Sequence, residues 1–250
     1  MSVSEPLSER QHAYLKAMGI DVWVHKDNYV PEHLQTKPVY ETPSQQNKAS
    51  HFQSDNTQTS KLAVGELDWT GLGQQIKTCT ACALHQTRNQ AVVGSGNQQA
   101  QWMIVGEAPD AEEDAYGEPF AGHAGMLLNS MLRAIGLQRQ QVYLTNVVKC
   151  RPPVNRKPDI GETEQCLNYL HRQIELVQPE IILVAGGIAA QQLLTNKSPL
   201  GRLRQKLHWL EPQRIPVVVT YHPAYLLQTP SEKNKAWQDL LFAQNELNRL

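Results

Sequence analysis

The chain has 250 residues, 40% of them hydrophobic, and a formal net charge of −1 at pH 7. This length fits one ordinary domain with an appendage, or two small domains. The near-neutral charge does not indicate a strongly basic nucleic-acid-binding domain, and no stretch approaches the roughly 18 uninterrupted apolar residues of a membrane span. Because the N-terminus also lacks the apolar core of a signal peptide, we expect a cytoplasmic protein with no membrane partner.

Residues 1–30 predict a short amphipathic helix followed by an apolar patch. Ser8 and Gln11 fit a capping box at the start of the helix, and Gly19 fits a C-cap at its end. The patch contains Trp23, which so short a unit is unable to bury by itself. The segment therefore either packs on the main domain or binds another protein.

Residues 31–70 are rich in Gln, Ser, Thr, Asn and Pro and show no apolar period. This composition favours a flexible polar linker, and a structureless stretch of this length is unusual inside one compact domain. The sequence therefore predicts a tethered N-terminal segment and a separate folded domain over residues 71–250.

Residues 71–250 alternate β-rich apolar runs with helical patterns. The runs cover residues 101–106, 142–146, 180–186 and 215–222, and the helical patterns cover about 124–135, 161–177, 187–195 and 232–248. This alternation predicts an α/β fold of three layers, in which helices cover both faces of a four-stranded, mostly parallel sheet.

Polar residues follow each of the predicted strands. Ligands of open parallel sheets bind beyond the carboxyl ends of the strands, and these ends carry Gly106-Glu107, Asn146, Gly186-Gly187 and His222. Each residue alone is more often a hydrogen-bonding group of a loop, but together they predict a site at this rim. Glu112 and Asp114, in the loop after the first strand, are expected to be solvated charges.

The four cysteines form one close pair and two distant thiols. Cys79 and Cys82 make a C-x-x-C pair, Cys150 follows the second predicted strand, and Cys166 lies on the next predicted helix. In a cytosolic protein such thiols are metal ligands or free thiols rather than disulfides. The spacing suits an iron–sulfur cluster or zinc, unless Cys150 and Cys166 are simply small buried hydrophobic residues.

Basic residues are concentrated at one place, the loop that holds Lys149, Arg151, Arg156 and Lys157. The sequence therefore predicts a local basic edge rather than a basic domain.

The order of short motifs over about residues 76–242 resembles that of family 4 uracil-DNA glycosylases, the iron–sulfur type. In that family a C-x-x-C-x-L start precedes a GEAPG loop and a PF-x-G-x-AG segment, and a strand ending in TN-V-x-K-C-RPP and a T-x-HPAYLL segment follow. The corresponding stretches here read CTACAL, GEAPDAEED, GEPFAGHAG, LTNVVKCRPPVNRKP, ETEQC and TYHPAYLLQTP. The resemblance implies the glycosylase fold, a 4Fe-4S cluster, and hydrolysis of the bond between uracil and deoxyribose after the base has left the helix stack.

The resemblance also implies roles for individual residues. Phe120 would stack on the flipped uracil, Asn146 would read its polar edge, and His222 would stabilise the negative charge that develops on its oxygen. Glu107 and Glu113 would orient water or stabilise a cationic sugar. The remaining assignments are Gly106, Ala108 and Asp110 beside the base, Arg151, Arg156 and Pro223 at DNA phosphates, and Cys79, Cys82, Cys150 and Cys166 as cluster ligands.

Several positions depart from the family pattern. Asp110 replaces a common glycine, and an anionic side chain there would crowd the pocket or repel the leaving uracil anion. His123 and Gln228 stand where the family carries arginine, and Arg204-Gln205 replaces an Arg-Gly pair. These exchanges weaken the expected phosphate contacts.

The N-terminal segment is similar to the clamp-loader-binding peptide of the psi subunit of bacterial DNA polymerase III. The similarity is carried by Arg10, Leu15, Met18, Ile20 and Trp23. It implies that Leu15, Met18, Ile20 and Trp23 bind clamp-loader subunits, with chi and single-strand-binding protein as further partners. A flexible linker would then keep the domain at high local concentration near that assembly.

Two hypotheses from different classes follow. The chain is either an active glycosylase carried to the replisome, or a catalytically inactive glycosylase fold that acts as the psi subunit. Glu107, Phe120, Asn146 and His222 favour the enzyme, whereas Asp110 favours the adaptor. A third reading is a redox-responsive DNA sensor that uses the cluster. The expected partner is DNA that contains uracil, is single-stranded, or both.

Overall fold

A computed structural model describes residues 9–17, 19 and 63–249. Met18, Ile20 and Trp23, which were predicted to bind a partner, lie outside the described residues, as do residues 31–62 of the predicted linker. Within the described ranges, no helix combines the length and hydropathy that a membrane span requires.

The described chain alternates strands and helices from residue 95 onwards. The helices are α1 (Glu9–Ala17), α2 (Trp69–Lys77), α3 (Ala111–Tyr116), α4 (Gly122–Ala134), α5 (Ile160–Val177), α6 (Gly187–Leu193), α7 (Leu200–Leu203), α8 (Pro223–Gln228) and α9 (Lys233–Leu247). The strands are β1 (Ser95–Gly96), β2 (Trp102–Gly106), β3 (Tyr143–Asn146), β4 (Ile181–Ala185), β5 (His208–Leu210) and β6 (Ile215–Thr220).

The strands form one sheet in the order β1-β3-β2-β4-β6-β5. The four inner strands run parallel, and the edge strands β1 and β5 pair antiparallel with β3 and β6. The predicted α/β fold with a mostly parallel sheet is confirmed, but the predicted number of four strands was wrong, because the sheet has six. The two additional strands are only 2 and 3 residues long, too short to show an apolar period.

The sheet separates two hydrophobic clusters, one on each face. Alternate residues of a strand point to opposite faces, so Met103 and Val105 join the cluster beneath α2, α5 and α6, whereas Trp102 and Ile104 join the cluster beneath α4, α8 and α9. The inner strands are therefore buried on both sides, as parallel strands usually are. This arrangement confirms the predicted three layers.

Helix α1 packs on the main domain through Leu15. That side chain is only 1% exposed and belongs to the cluster that contains Leu128 and Met131 of α4. Gly19, just beyond the helix, lies beside the ammonium group of Lys233. The described part of the N-terminal segment therefore packs on the main domain, which was one of the two alternatives that the sequence left open.

The folded domain includes residues ahead of residue 71. Leu67 is buried in the hydrophobic cluster beneath α2, α5 and α6. Helix α2 begins at Trp69, and the carboxylate of the preceding Asp68 accepts a hydrogen bond from the Gly71 amide at 2.8 Å. This N-cap satisfies one of the free amides of the first helical turn.

Candidate active site

The carboxyl ends of the inner strands lie side by side. Gly106 of β2 pairs with Asn146 of β3, and Ala185 of β4 pairs with Thr220 of β6. The residues at and beyond these ends, including Glu107 and His222, therefore share one rim of the sheet. This is where the sequence analysis placed the site.

Asn146 carries a buried acceptor atom at the end of β3. Its side chain is fully buried, and among the described residues nothing donates to its Oδ1 atom. A buried polar atom without a hydrogen bond is unusual and needs an explanation. An acceptor held in this way is suited to an N–H group of a ligand.

Gly106 forms the wall of the same pocket. A Cβ atom at this position would stand 2.2 Å from Asn146 Oδ1 and 2.8 Å from the Phe120 ring. Only glycine leaves enough room for the amide and the ring to approach each other. Gly106, Phe120 and Asn146 therefore make one compact unit.

Glu113 fixes the orientation of the Asn146 amide. Its Oε1 atom accepts hydrogen bonds from Asn146 Nδ2 at 3.3 Å and from the Phe120 amide, and its Oε2 atom accepts from the Asp110 amide at 2.8 Å. Because the carboxylate only accepts, the amide must turn its NH₂ group toward Glu113 and its oxygen into the pocket. Burial raises the pKa of Glu113 to about 7, against the opposing effect of these hydrogen bonds.

Hydrogen bonds to the amide and to the carbonyl of Phe120 fix its backbone. Its φ of 51° lies in the left-handed region that non-glycine residues rarely adopt. In addition to the bond from its amide to Glu113, its carbonyl accepts from Arg139 at 3.2 Å, and the carbonyl of Pro119 accepts from the same guanidinium at 2.6 Å. The ring lies against that of His222, with centroids 5.6 Å apart and planes 22° apart.

His222 presents a neutral imidazole to the site. Its Nδ1 atom accepts a hydrogen bond from the Ala224 amide at 3.2 Å as it caps α8, so the proton of the neutral ring is on Nε2. Burial lowers the pKa of His222 to about 4, opposed by the nearby charge of Asp110. The ring is therefore an uncharged donor at neutral pH.

Glu107 is anchored at the start of α6. Its Oε1 atom accepts from the Ile188 amide at 2.9 Å, and a Cβ atom at Gly186 would lie 2.4 Å from that oxygen. Burial raises the pKa of the Glu107 carboxyl, while the amides of Ile188 and Gly187 and the charge of Lys157 oppose the rise. Glu107 is thus a fixed, partly desolvated carboxyl group at the rim.

Asp110 is the N-cap of α3. Its Oδ1 atom accepts from the amides of Glu112 and Glu113, both at 2.9 Å, and the Asp110 amide in turn donates to Glu113 Oε2. This reciprocal capping box directs the carboxylate to the helix terminus. Ala108 lies between Glu107 and this cap and packs against the first cluster.

The interpretation of Asp114 as a solvated charge was wrong. Its side chain is 1% exposed and accepts hydrogen bonds from the backbone amides of Asn89 and Gln90. It joins the loop after the C-x-x-C pair to α3. Glu112 is exposed, as expected.

The predicted basic edge is smaller than the sequence implied. Lys149 is fully buried and donates to Thr145 Oγ1, the Asn146 carbonyl and Gln173 Oε1 at 2.6–2.7 Å, so its inclusion in that edge was wrong. Arg156 is exposed, but both of its terminal nitrogens donate to Glu162.

The other residues predicted to meet phosphates differ in surroundings. Arg151 donates to Asn155 at 2.7 Å and keeps part of its surface exposed, whereas Pro223 is buried at the first position of α8. The guanidinium of Arg204 and the Gln205 side-chain amide both donate to the buried Asp239.

The four cysteines line a single cavity, together with Tyr169 and His85. The cavity lies on the face of the sheet that α2, α5 and α6 cover. Arg88 donates to Cys150 Sγ at 2.8 Å, and the Ala81 amide donates to Cys79 Sγ at 3.5 Å. In the described residues, no three His, Cys, Asp or Glu side chains form a group that could hold a single metal ion.

Three residues of these networks were missed by sequence reasoning. Arg139 supports the Phe120 loop, Gln173 completes the bonds of Lys149, and Arg88 binds both Cys150 and the Cys79 carbonyl. No local pattern marks them, because each acts on residues 9 or more positions away.

Comparison with known proteins identifies the family of this chain. A model of the uracil DNA glycosylase superfamily matches residues 93–241. The chain is 41% identical over 172 residues to a type-4 uracil-DNA glycosylase of Archaeoglobus fulgidus, covering 66% of this chain and 86% of that protein. It is 42% identical over 164 residues to one of Thermotoga maritima (65% and 84%) and 41% identical over 180 residues to one of Pyrobaculum aerophilum (70% and 92%).

The matched region contains β2 through most of α9, and with them the whole rim around Asn146 and His222. The resemblance to family 4 seen in the motifs is therefore confirmed by independent comparisons, and the chain belongs to the uracil-DNA glycosylase superfamily, within which it groups with the type-4 enzymes.

Proposed function

We propose that this protein hydrolyses the N-glycosidic bond of deoxyuridine that has been turned out of a DNA strand. The observation that carries the proposal is the buried Oδ1 atom of Asn146, which has no partner among the described residues and faces the space beside Gly106 and Phe120. Uracil offers an N3–H donor next to an O4 acceptor. The Asn146 amide matches this edge, with Oδ1 accepting from N3–H and Nδ2 donating to O4.

The same amide would reject cytosine, which has an acceptor at N3 and a donor at the neighbouring amino group. Asn146 would have to rotate its amide by half a turn to match that edge. Glu113 opposes the rotation, because it accepts from Nδ2 and would then face the amide oxygen. A site of this kind discriminates strongly, since the wrong base leaves buried groups unpaired.

His222 would stabilise the departing base. As the bond between C1′ and N1 breaks, its electron pair moves onto uracil, and negative charge grows on the O2 atom. The Nε2–H group of a neutral His222 would donate to this oxygen, and its role is electrostatic because a ring with a pKa of about 4 carries no extra proton to give.

Glu107 would act on the sugar. Water adds to C1′ as the base leaves, and solvent accepts the proton that this water loses while the released uracil anion takes up one proton in turn. A carboxylate held by the first amides of α6 would orient that water or stabilise the positive charge on the sugar ring. Phe120 would pack against the face of the base and exclude solvent.

The cysteine cavity fits a 4Fe-4S cluster. All four thiols line it, and Cys150 and Cys79 already receive N–H donors, as thiolate ligands of clusters commonly do. Cys79, Cys82, Cys150 and Cys166 would hold the cluster, and when bound it would cross-link the loop after α2 to β3 and α5.

The test is excision of uracil from oligonucleotides that contain one deoxyuridine, in single-stranded and duplex form, by the full-length cluster-loaded protein. We expect excision by the unaltered protein and a loss of about 100-fold for Asn146→Ala and for His222→Ala. Asn245→Ala, on the exposed side of α9, is the control and should leave the rate unchanged. Absence of excision from both forms of DNA would reject the proposal.

Asp110→Gly separates the enzyme from the inactive adaptor considered above. Because Asp110 caps α3, we expect this change to lower stability by a few tenths of a kcal/mol without raising the excision rate. A large gain of activity would instead favour a glycosylase fold that Asp110 has inactivated.

We also propose, from the N-terminal resemblance alone, that residues 1–30 carry the enzyme to clamp-loader subunits. Trp23→Ala in the full-length chain should abolish that binding in isothermal titration while excision stays unchanged. Undiminished binding would remove the psi-like role and, with it, chi and single-strand-binding protein as expected partners.

A further inference from the structure

Val154 is the most exposed large hydrophobic residue that the described part of the chain contains. Its side chain is 94% exposed at the tip of a short turn, Pro153–Asn155, between β3 and α5. Single apolar residues are common on protein surfaces and need no function. The conformation and position of Val154 make it a different case.

The backbone at Val154 is strained. Its φ of 55° and ψ of 25° place it in the left-handed region, where a β-branched side chain is a true outlier. Asn155, with a φ of 53°, follows in the same region, which asparagine tolerates far better. A residue that disfavours the conformation therefore occupies the tip, and strain of this kind tends to persist where function requires it.

The turn is held firmly from both ends. The Asn155 amide donates to the Pro152 carbonyl at 3.1 Å, the Arg156 amide donates to the Pro153 carbonyl at 3.1 Å, and Arg151 donates to the Asn155 side chain at 2.7 Å. The two prolines fix their own φ angles. The apolar tip is thus presented on a rigid support rather than on a loose loop.

The turn stands at the rim of the active site. It follows Asn146 by eight positions, and the charge of Lys157, three residues beyond Val154, acts on the Glu107 carboxyl. Arg151 and Lys157 flank the tip in the sequence. Proteins that insert an apolar side chain between base pairs also bind the neighbouring phosphates through cationic side chains, and this turn offers both kinds of group.

We propose that Val154 enters the base stack of duplex DNA beside the flipped nucleotide and holds the opened step apart. The proposal rests on the glycosylase function proposed above. It assigns to the turn Pro153–Asn155 a role in duplex DNA only, because a single strand has no paired stack to open. The strain at Val154 would keep the apolar tip directed outward toward the DNA.

The test compares Val154→Asn with Val154→Leu in single-turnover excision from single-stranded and fully paired duplex oligonucleotides. Asparagine accepts the left-handed conformation but removes the apolar tip, whereas leucine keeps it. We expect Val154→Asn to lower the duplex rate about tenfold while the single-strand rate stays within about twofold, and Val154→Leu to keep both rates. Val154→Asn should also melt at the same temperature or higher, because it relieves strain.

A second readout observes the stack directly. 2-Aminopurine placed next to the deoxyuridine brightens when its step opens, and we expect Val154→Asn to reduce this signal on duplex DNA. Equal rates for Val154→Asn and the unaltered protein on duplex DNA would overturn the proposal, as would an equal loss on both forms of DNA. Absence of excision by the unaltered protein on single strands would instead mark failure of the glycosylase function itself.

Discussion

At the scale of single residues, the Asn146 amide, which we propose reads the base, depends on the glycine behind it. Gly106→Ala would place a methyl group 2.2 Å from Asn146 Oδ1 and 2.8 Å from the Phe120 ring, so the amide or the ring has to move. We expect uracil excision to fall at least about 100-fold, with a stability loss of about 1–3 kcal/mol from overpacking.

The matched control for that substitution is Gly73→Ala in α2, where an added Cβ meets nothing within 4 Å. It should raise stability by up to about 1 kcal/mol, because alanine favours a helix, and leave excision unchanged. Rates from deoxyuridine oligonucleotides and thermal melts measure both effects. An active Gly106→Ala protein would contradict the geometry of the pocket.

The pH dependence should be governed by Glu113. Its pKa of about 7 is raised from the usual 4.5 by burial, and only the carboxylate accepts all three N–H donors that fix Asn146 and Phe120. Excision should therefore decline as the pH falls below about 7. Glu113→Gln should lower the excision rate and remove this decline at acidic pH, which is the acid limb of the pH profile. Glu112→Gln, a change at the exposed neighbour, should retain the acid limb. A limb that persists in Glu113→Gln would contradict the assignment.

Glu113 and His222 have opposite effects on the stability of the folded protein as the pH falls. The folded protein holds a proton on Glu113 between about pH 4.5 and 7 that the unfolded chain releases, so this group adds stability as the pH falls through that window. His222, with a pKa lowered to about 4 from 6.5, does the reverse, because the unfolded chain takes up the proton first. His222 is neutral near pH 7 and is not the source of the acid limb.

Sequence reasoning predicted which residues gather at the carboxyl rim of the sheet, but not the residues that support them. Strand ends in a parallel sheet bring Glu107, Asn146 and His222 to one rim, and that much follows from periodicity alone. The sequence also contained a signal that was overlooked, since Asp110 and Glu113 have the spacing of a capping box. The burial of Lys149 and the reach of Arg139 to Phe120 depend on tertiary packing, which no local pattern encodes.

At the scale of elements, the long periodic segments were predictable and the short ones were not. The four inner strands and the helices α4, α5, α6 and α9 agree with their predicted positions to within about two residues. Helices α3 and α8, with 6 residues each, are too short to show an amphipathic period. The edge strands β1 and β5 exist because β3 and β6 offer them free hydrogen-bonding groups.

Helix α1 is an element whose docking has a consequence for partner binding. Leu15 is one of the residues predicted to contact another protein, yet it is buried against α4. A partner that uses Leu15 must therefore displace α1 from the domain. Leu15→Asp should undock the helix, and Ala13→Asp, which places the same charge on the exposed face of α1, should not.

Hydrogen exchange of the amides in residues 9–17 measures that docking. We expect Leu15→Asp to lose their protection, consistent with removal of a buried leucine contact worth about 2–5 kcal/mol, and Ala13→Asp to retain it. The amides of α4 and the excision rate should be unaffected in both proteins. Retained protection in Leu15→Asp would show that α1 does not dock through this residue.

At the scale of the whole molecule, the two regions for which we propose different tasks lie at different places on the sheet. The cysteine cavity lies on the face beneath α2 and α5, and the residues that we propose read the base lie at the carboxyl edge. Lys149 connects them, because it lines the cavity and donates to the Asn146 carbonyl and to Gln173 of α5. We therefore expect a substitution in the cavity to change the position of Asn146, at the end of β3, and so to weaken DNA binding.

Removing one thiol tests that connection and the cluster together. The unaltered protein should be brown, with visible absorbance near about 400 nm, and Cys79→Ser should lose the colour. Because the cluster would cross-link the loop after α2 to β3 and α5, its loss should also lower the melting temperature by roughly 10 °C. Thr80→Ala, an exposed change between the two close cysteines, should retain both colour and melting temperature.

Metal analysis of the same two proteins gives the decisive comparison. Iron and sulfide near four atoms each per chain are expected in Thr80→Ala, with both absent from Cys79→Ser. Since Lys149 joins the cavity to Asn146, binding of deoxyuridine-containing single strands should weaken in Cys79→Ser even where no excision is measured. A colourless protein with one zinc per chain would reject the cluster, and unchanged DNA binding by Cys79→Ser would show that the cavity and the base-reading site are independent.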